Sequence, residues 1–543
     1  MAEDFPTATT PVGTDDIAKS ELDDYLSVRQ QRRWIFPRAA LVGLCAGVIA
    51  LAFRIALTGA DALRNQLIAW ARQYPAFGWL LPVLLTLLGA LLAVFLTRRF
   101  APEASGSGIP HLEAVLHRFR KLDWKRLLPV KFIGGVIAIG SGLALGREGP
   151  TVQMGGAVGD AISRWLKVSE RERLILISSG AGAGLAAAFN APLSGLIFVL
   201  EEVRRDFQPI VFGAAFIAAV IADIIARIGT GQFPVFSVPS YPVPPLTALP
   251  IFALLGLLTG LLGVLFNRSL LFSLNQYARI PQRYSLLATA LTGALVGLVG
   301  WFAPQLIGSG HTLAESALEG HLALATIPLF FLVRFVLTTG SYGLGAPGGI
   351  FAPLLVLGAL IGLAVGQSAN LLFPTVVPIP AVFAVVGMAA YFTAIVRAPL
   401  TGIMLIVEMT GNYSLMLPLL LSCFCAYIVA EGLKEMPIYE ALLERDLKRG
   451  GTLSALREPA VVDFIIQPDS PFDGKMVRFL GLPPGCILVR CSDGKTEWIP
   501  KAGSRLYAHM RITAVISPEA VNGLDALRKG CATPKPAGPS VLE

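Results

Sequence analysis

The amino-acid sequence predicts an all-α polytopic membrane protein built from two related halves with interrupted helices, followed by a small α/β domain. Composition is the first sign: 54% of the 543 residues are hydrophobic and 15% are charged, too little charge for a soluble chain of this size. An internal repeat is the second. Gly146-Arg147-Glu148-Gly149-Pro150, with Gly155 and Gly159 behind it, returns as Gly349-Ile350-Phe351-Ala352-Pro353 with Gly358 and Gly362 (349 − 146 = 203; 362 − 159 = 203). Ala191-Pro192-Leu193-Ser194-Gly195, running on to Glu201, returns as Ala398-Pro399-Leu400-Thr401-Gly402, running on to Glu408 (398 − 191 = 207). Hydrophobic halves broken by Gly and Pro at matching places mark a transporter whose substrate sits where interrupted helices meet. The third sign is the soluble character of the chain from Leu453 onward.

The elements follow in order. Residues 1–25 hold Asp, Glu, Thr and Pro without an apolar core, so no cleavable signal peptide is expected and the first span directs insertion. Residues 1–33 are expected to be a cytoplasmic segment. Apolar stretches near the ~20 residues that span a bilayer run through 39–57, 79–96, 250–266, 286–302 and 415–430. The remaining ones are short or broken, and irregular backbone at membrane depth is tolerated only inside protein or along a wet pathway. Arg29, Arg32, Arg33 and Arg38 precede the first span and Arg98 and Arg99 follow the second, which puts both flanks, and the basic run from Arg118 to Arg126, on the cytoplasmic side. Their place beside the spans accounts for these charges, so a nucleic-acid partner is not expected. The membrane domain is read as 34–449, with repeat 1 over about 34–235, repeat 2 over about 250–435, and a Pro-rich junction between them. Six cysteines, at 45, 423, 425, 486, 491 and 531, have no CxxC spacing and predict neither a disulfide framework nor a metal site.

Three Gly-rich breaks end in proline: Gly106-Ser107-Gly108-Ile109-Pro110, 146–150 and 348–353. Proline favours the first turn of a helix, so each break is expected at a helix N-terminus, where free N–H groups and the helix dipole make an anion site. The simpler alternative is that Gly and Pro only kink and pack membrane helices. Glu148 is a carboxylate inside such a break and faces Phe351 in the repeat. Deprotonated, it mimics the anion; protonated, it lets go, which links anion and proton movement. A salt bridge to Arg147 is the structural alternative. Of the adjacent pair Glu201 and Glu202, Glu201 has a repeat counterpart in Glu408 while Glu202 faces Met409. A shared structural role is expected for Glu201, and proton entry for Glu202.

With Gly-Ser-Gly-Ile-Pro, Gly-Arg-Glu-Gly-Pro and Gly-Ile-Phe-Ala-Pro in that order, the chain resembles the CLC family of chloride channels and chloride/proton exchangers. The resemblance implies an antiparallel two-repeat architecture and a homodimer with one pore per subunit. It further implies an anion held by Ser107, Tyr439 and the amides of Ile350 and Phe351, with Gly146, Arg147 and Gly149 around it. Glu148 would be the external gate and Glu202 the internal proton-transfer residue, a glutamate that exchangers in the family carry and channels lack. The substrates implied are chloride and protons, with bound chloride and no cofactor, and no enzymatic reaction. The expected setting is the lipid bilayer of a prokaryotic inner membrane, with both termini cytoplasmic. A passive chloride channel of the same fold is the alternative. His111 departs from the family, which usually has glutamate there; Glu113 follows two residues later.

In the tail, strands are expected over 461–466, 486–491, near Thr496 and over 511–517, with a short helix over 474–480. Residues 455–519 resemble the C-terminal ligand-sensing domain of potassium-transport regulators (TrkA-C or RCK-C), through this order and Gly481-Leu482-Pro483-Pro484-Gly485-Cys486-Ile487-Leu488-Val489. Such domains dimerise and some bind nucleotides, so a nucleotide is the candidate ligand. Residues 520–543 are expected to be a flexible tail. Two enzyme readings compete with transport, and neither motif is complete. A dinucleotide loop at Gly180, Gly182 and Gly184 has its third glycine misplaced, and an intramembrane serine protease at Ser179-Gly180 lacks the preceding glycine.

Overall fold

The computed structural model describes residues 14–449 and 460–532, apart from Pro75, Phe233, Ser237, Gly494, Lys495, Pro518, Glu519, Val521 and Asn522. Most of residues 1–33 and all of 533–543, expected as terminal segments, therefore lie outside the described residues or are described only as backbone. The chain divides into two compact units, 1–442 and 443–543.

The first half of the larger unit comprises α1 (Thr14–Ala71), α2 (Leu80–Phe100), α3 (Ile109–Leu116), α4 (Trp124–Gly140), α5 (Glu148–Trp165), α6 (Glu170–Phe189), α7 (Pro192–Phe198) and α8 (Pro209–Thr230). The second half runs through α9 (Leu249–Arg279), α10 (Gln282–Phe302), α11 (His311–Leu318), α12 (Ile327–Gly343), α13 (Phe351–Leu372), α14 (Ala381–Val396), α15 (Pro399–Thr410) and α16 (Met416–Gly432), after which α17 (Ile438–Arg449) follows. The helix starts repeat: 282 − 80 and 311 − 109 give 202, 351 − 148 gives 203, and 399 − 192 and 416 − 209 give 207. The two halves form an antiparallel inverted repeat. Matching sequence produces matching boundaries. Asn190 and Arg397, 207 residues apart, both take the left-handed conformation (φ 54° and 69°) that stops α6 and α14, and Pro192 and Pro399 start the next helices.

Seven of the described helices are long and apolar enough to cross a membrane. Five match the expected spans, the second starting at Leu80 instead of Trp79. The other two are Pro209–Thr230 and Phe351–Leu372. The first was hidden by Asp223 and Arg227, which neutralise each other one turn apart at 2.7 Å, and the second by its Gly-rich start. Small residues bring helices together: a Cβ on Gly155 would lie 2.1 Å from the Gly180 carbonyl, and one on Gly362 1.9 Å from that of Phe383, so α5 packs on α6 and α13 on α14 with backbones in contact. Leu254, Leu258, Leu261 and Leu265 of α9, and Leu287, Leu291 and Leu295 of α10, stand exposed at helical spacing, as acyl-chain-facing stripes do.

The smaller unit is an antiparallel sheet of β1 (Ala460–Ile465), β2 (Cys486–Ser492), β3 (Glu497–Trp498) and β4 (Arg511–Ile516) in the order β1-β4-β2-β3, with α18 (Gly523–Cys531). Two expectations are corrected. Residues 474–480 are not an α-helix but hold a single 3₁₀ turn, Val477–Phe479. Their backbone bonds elsewhere: Gly474 N to Leu506 O (2.8 Å), Val477 N to Ser504 O (2.9 Å) and Leu506 N to Lys475 O (2.9 Å). The stretch 520–532 is not flexible tail, because α18 buries Leu527 and Cys531 one turn apart against Ile466, Leu488, Cys491, Ile512 and Ile516, and the amides of Gln467 and Phe472 bond its last carbonyls at 2.9 Å each. Cys45, Cys423, Cys425, Cys486, Cys491 and Cys531 are free thiols.

Candidate functional site

The three Gly-rich breaks all stand at helix N-termini, before α3, α5 and α13, and backbone bonds stitch them together. Gly146 and Gly349 exchange N–H···O bonds of 2.7 Å in both directions, and Gly106 and Gly348 tie the first break to the third (Gly106 N to Ala346 O, 3.2 Å; Gly348 N to Gly106 O, 3.0 Å). Glycine is required where they meet, since a Cβ on Gly149 would lie 2.7 Å from that of Ser107. The first α-helical bond of α13 is Leu354 N to Ile350 O, so the amides of Ile350, Phe351 and Ala352 precede the helical ladder and face outward from its positive end.

Glu148 is buried, 3% exposed, and its Oε2 accepts from Ala352 N at 3.3 Å. The carboxylate thus occupies the N-terminus of α13, as an anion would. The alternative of a salt bridge with Arg147 is weaker than the sequence suggests: Arg147 Nε lies 3.9 Å from Glu148 Oε1, too far for a hydrogen bond, and the guanidinium donates to the Ala188 carbonyl at 3.3 Å instead.

Ser107 is fully buried; its amide meets the Tyr342 hydroxyl at 3.4 Å and its Oγ faces Ile109 N at 3.4 Å. Tyr342 was not singled out in the sequence, and only its proximity to the third break hinted at it. Tyr439, at the start of α17, is fully buried, and its ring stacks on that of Phe351 (centroids 6.2 Å, planes 22° apart). Among the described residues its hydroxyl has no hydrogen-bond partner, although it lies within the electrostatic reach of Glu148, Tyr342, Glu202 and Glu113. A fully buried hydroxyl without a partner is costly. The geometry leaves it available to a ligand beside the α13 N-terminus.

Glu202 is buried, 3% exposed, with its Oε1 unpaired at hydrogen-bond range and 3.8 Å from Arg205 Nη2. Arg205 also pairs with Glu440. Glu113, buried with one unpartnered oxygen, joins this cluster and feels the charges of Glu202, Arg205 and Glu440. The sequence offers Glu113 only as the acid two residues beyond His111, whose Nδ1 is 3.3 Å from Gln153 Nε2. Glu201 is engaged quite differently. Its carboxylate caps α15, accepting from Leu400 N (3.1 Å), Thr401 N (2.7 Å) and Thr401 Oγ1 (2.7 Å). Glu408 reciprocates at α7, accepting from Leu193 N (3.1 Å), Ser194 N (2.8 Å) and Ser194 Oγ (2.5 Å). The pair is a two-fold clasp between the halves, which is the structural role the repeat assigned to it. The strand that a dinucleotide loop would need over 174–177 lies within helix α6.

A family model described as voltage gated chloride channel matches residues 89–431. The chain is 43% identical over 444 residues to the H(+)/Cl(-) exchange transporter ClcA of Vibrio parahaemolyticus serotype O3:K6, covering 80% of this chain and 94% of that one. It is 39% identical over 418 residues to the transporter of the same name from Citrobacter koseri, covering 76% and 88%. Among solved structures it is similar to a slow cyanobacterial Cl-/H+ antiporter, with a TM-score of 0.74 and 40% identity over 77% of this chain and 99% of that one. A eukaryotic CLC transporter shares the fold at a TM-score of 0.66 and 23% identity, over 82% and 78% of the two chains.

Proposed function

The chain belongs to the CLC family of voltage-gated chloride channels, and from that premise we propose that it is a chloride/proton antiporter. The observation that carries this reading is Glu148, whose carboxylate sits on the amide end of α13 in the place of an anion. A dehydrated chloride is held beside it by the Ser107 and Tyr439 hydroxyls and the Ile350 and Phe351 amides, within a shell that includes Gly146, Arg147 and Gly149. Chloride arriving at the Glu148 position displaces the carboxylate, which is freed to take a proton from the outer solution. When the anion leaves, the neutral side chain returns its proton inward and again caps α13. Glu202 delivers and receives that proton on the inner side, with Arg205, Glu440 and Glu113 setting the local field. The proton and anion routes part below Tyr439, so losing Glu202 uncouples the ions without closing the anion path.

Chloride and protons are the substrates, no cofactor or metal takes part, and the activity is transport without covalent chemistry. The chain works as a homodimer with one pathway per subunit, in a prokaryotic inner membrane with both termini cytoplasmic. Residues 455–519, extended by α18, act as a TrkA-C-like regulatory domain, and a nucleotide is the candidate ligand. Liposomes holding the purified full-length protein test the main claim: an outward chloride gradient should drive protons uphill. Chloride flux at full rate without proton movement would instead support the passive channel.

A further inference from the structure

The repeat contains one more pair. Gly106-Ser107-Gly108, ahead of α3, is matched by Gly308-Ser309-Gly310, ahead of α11 (308 − 106 = 202). The backbones repeat as well, with φ of 61° and 83° at the first two glycines and 65° and 80° at the second two, and a 3₁₀ turn precedes each loop, at Pro102–Ala104 and Pro304–Leu306. A buried cation backs both. Lys131 Nζ donates to Ala104 O (2.9 Å) and Gly106 O (2.6 Å). Arg334, 203 residues later, donates from Nη1 to Leu306 O (2.9 Å) and from Nη2 to Ser309 O (2.7 Å).

Arg334 is fully buried, and among the described residues its Nε has no partner and no carboxylate pairs with it. An uncompensated buried guanidinium is expensive, and an anion relieves it. The charge lies at the start of α11, because a Cβ on Gly310 would be 2.9 Å from Arg334 Nη2. The amides of His311, Thr312 and Leu313 stand ahead of the first α-helical bond, Ala314 N to Gly310 O at 3.0 Å, and no proline removes a donor here as Pro110 does in α3. Arg54 and Arg147 also act on His311. The acids nearby are Glu315, 3.4 Å from His311 Nδ1, and Asp61, which is paired with Arg64 at 2.7 Å. Ser309 and His311 are partly exposed, so the loop can be reached.

We infer that the N-terminus of α11, backed by Arg334, is a second site for a small monovalent anion, on the Glu148 side, that loads the outer end of the pathway. This rests on the antiporter reading, since α11 is the inverted mate of the helix that holds Ser107. Bromide anomalous diffraction from crystals of the full-length protein tests it. The expected result is one bromide against the amides of 311–313, besides those at Ser107 and Tyr439. Arg334→Gln should lose the outer peak and keep the inner ones, whose presence proves the fold. His311→Asp, which leaves the buried arginine untouched, should lose it too, by placing a tethered carboxylate on the site. In sided flux assays both variants should raise the half-saturating outer chloride concentration about tenfold, equivalent to about 1.4 kcal/mol, with the inner value unchanged. Inner peaks without an outer one in the native protein, or an outer peak that persists in both variants, overturns the inference alone. An outer peak without inner ones supports the inference and overturns the central site.

Discussion

Replacing Glu201 and Glu202 one at a time by glutamine separates two adjacent carboxylates by what each can lose. Glu201 accepts three bonds from the start of α15, two of them on Oε2 at 2.7 Å. Glutamine offers one acceptor oxygen where the carboxylate has two, so either the Thr401 pair or the Leu400 amide is left facing an NH₂ donor. Hydrogen bonds to charged groups contribute ~1.5–3 kcal/mol each; with the cap only partly buried, the expected loss is about 2 kcal/mol. Glu408→Gln should cost a similar amount, because Ser194 and Leu193 repeat the geometry. Glu202 has an unpartnered Oε1 and no comparable cap to lose. Thermal unfolding of the purified protein should therefore show lowered midpoints for Glu201→Gln and Glu408→Gln and an unshifted one for Glu202→Gln. Proton coupling in liposomes should show the converse, abolished in Glu202→Gln and retained in the other two. A Glu201→Gln variant that is fully stable and fully uncoupled would refute the assignment of roles.

Glu148→Gln should pass chloride without pumping protons, because the titratable occupant of the α13 N-terminus is gone; proton uptake at the native ratio argues against the gate. Ser107→Ala and Tyr439→Phe should each weaken calorimetric chloride binding by about 1–3 kcal/mol without emptying the site, and unchanged affinity in both removes them as ligands. Burial pushes the Cys531 thiol up to about 11 and raises those of Cys486 and Cys491, so at pH 7 little thiolate forms and all three should resist maleimide until the C-terminal unit is unfolded; prompt labelling contradicts the fold of α18. Truncation after Arg449 should leave coupled exchange intact with an altered rate, whereas loss of all flux from a folded dimer makes the tail part of the transport machinery.

Much of the architecture was legible because the repeat acts as an internal alignment. Pro110, Pro150 and Pro353 located three helix starts, and the mismatch of Glu202 with Met409 distinguished it from the clasp residue beside it. The same signal extends to Gly308-Ser309-Gly310, although that break has no proline to mark it. Other features depend on contacts between segments distant in sequence. Nothing near Lys131 or Arg334 in the chain announces that each is buried against a loop about 25 residues upstream. Asp223 and Arg227 interrupt an apolar stretch in the sequence, and only the helix pairs them. In the tail, the apolar positions within 474–480 could serve either period, and pairing with 502–506 decided against a helix. Leu527 and Cys531 are too few apolar residues to announce α18 without the sheet they cover.

Coupling is most directly tested by the reversal potential of the reconstituted full-length protein in a planar bilayer with a chloride gradient and no proton gradient, then with an added proton gradient. The antiporter account predicts that the added proton gradient shifts the reversal potential, and that this shift disappears in Glu202→Gln while current remains. A reversal potential that stays at the chloride equilibrium value whatever the pH on either side would contradict it.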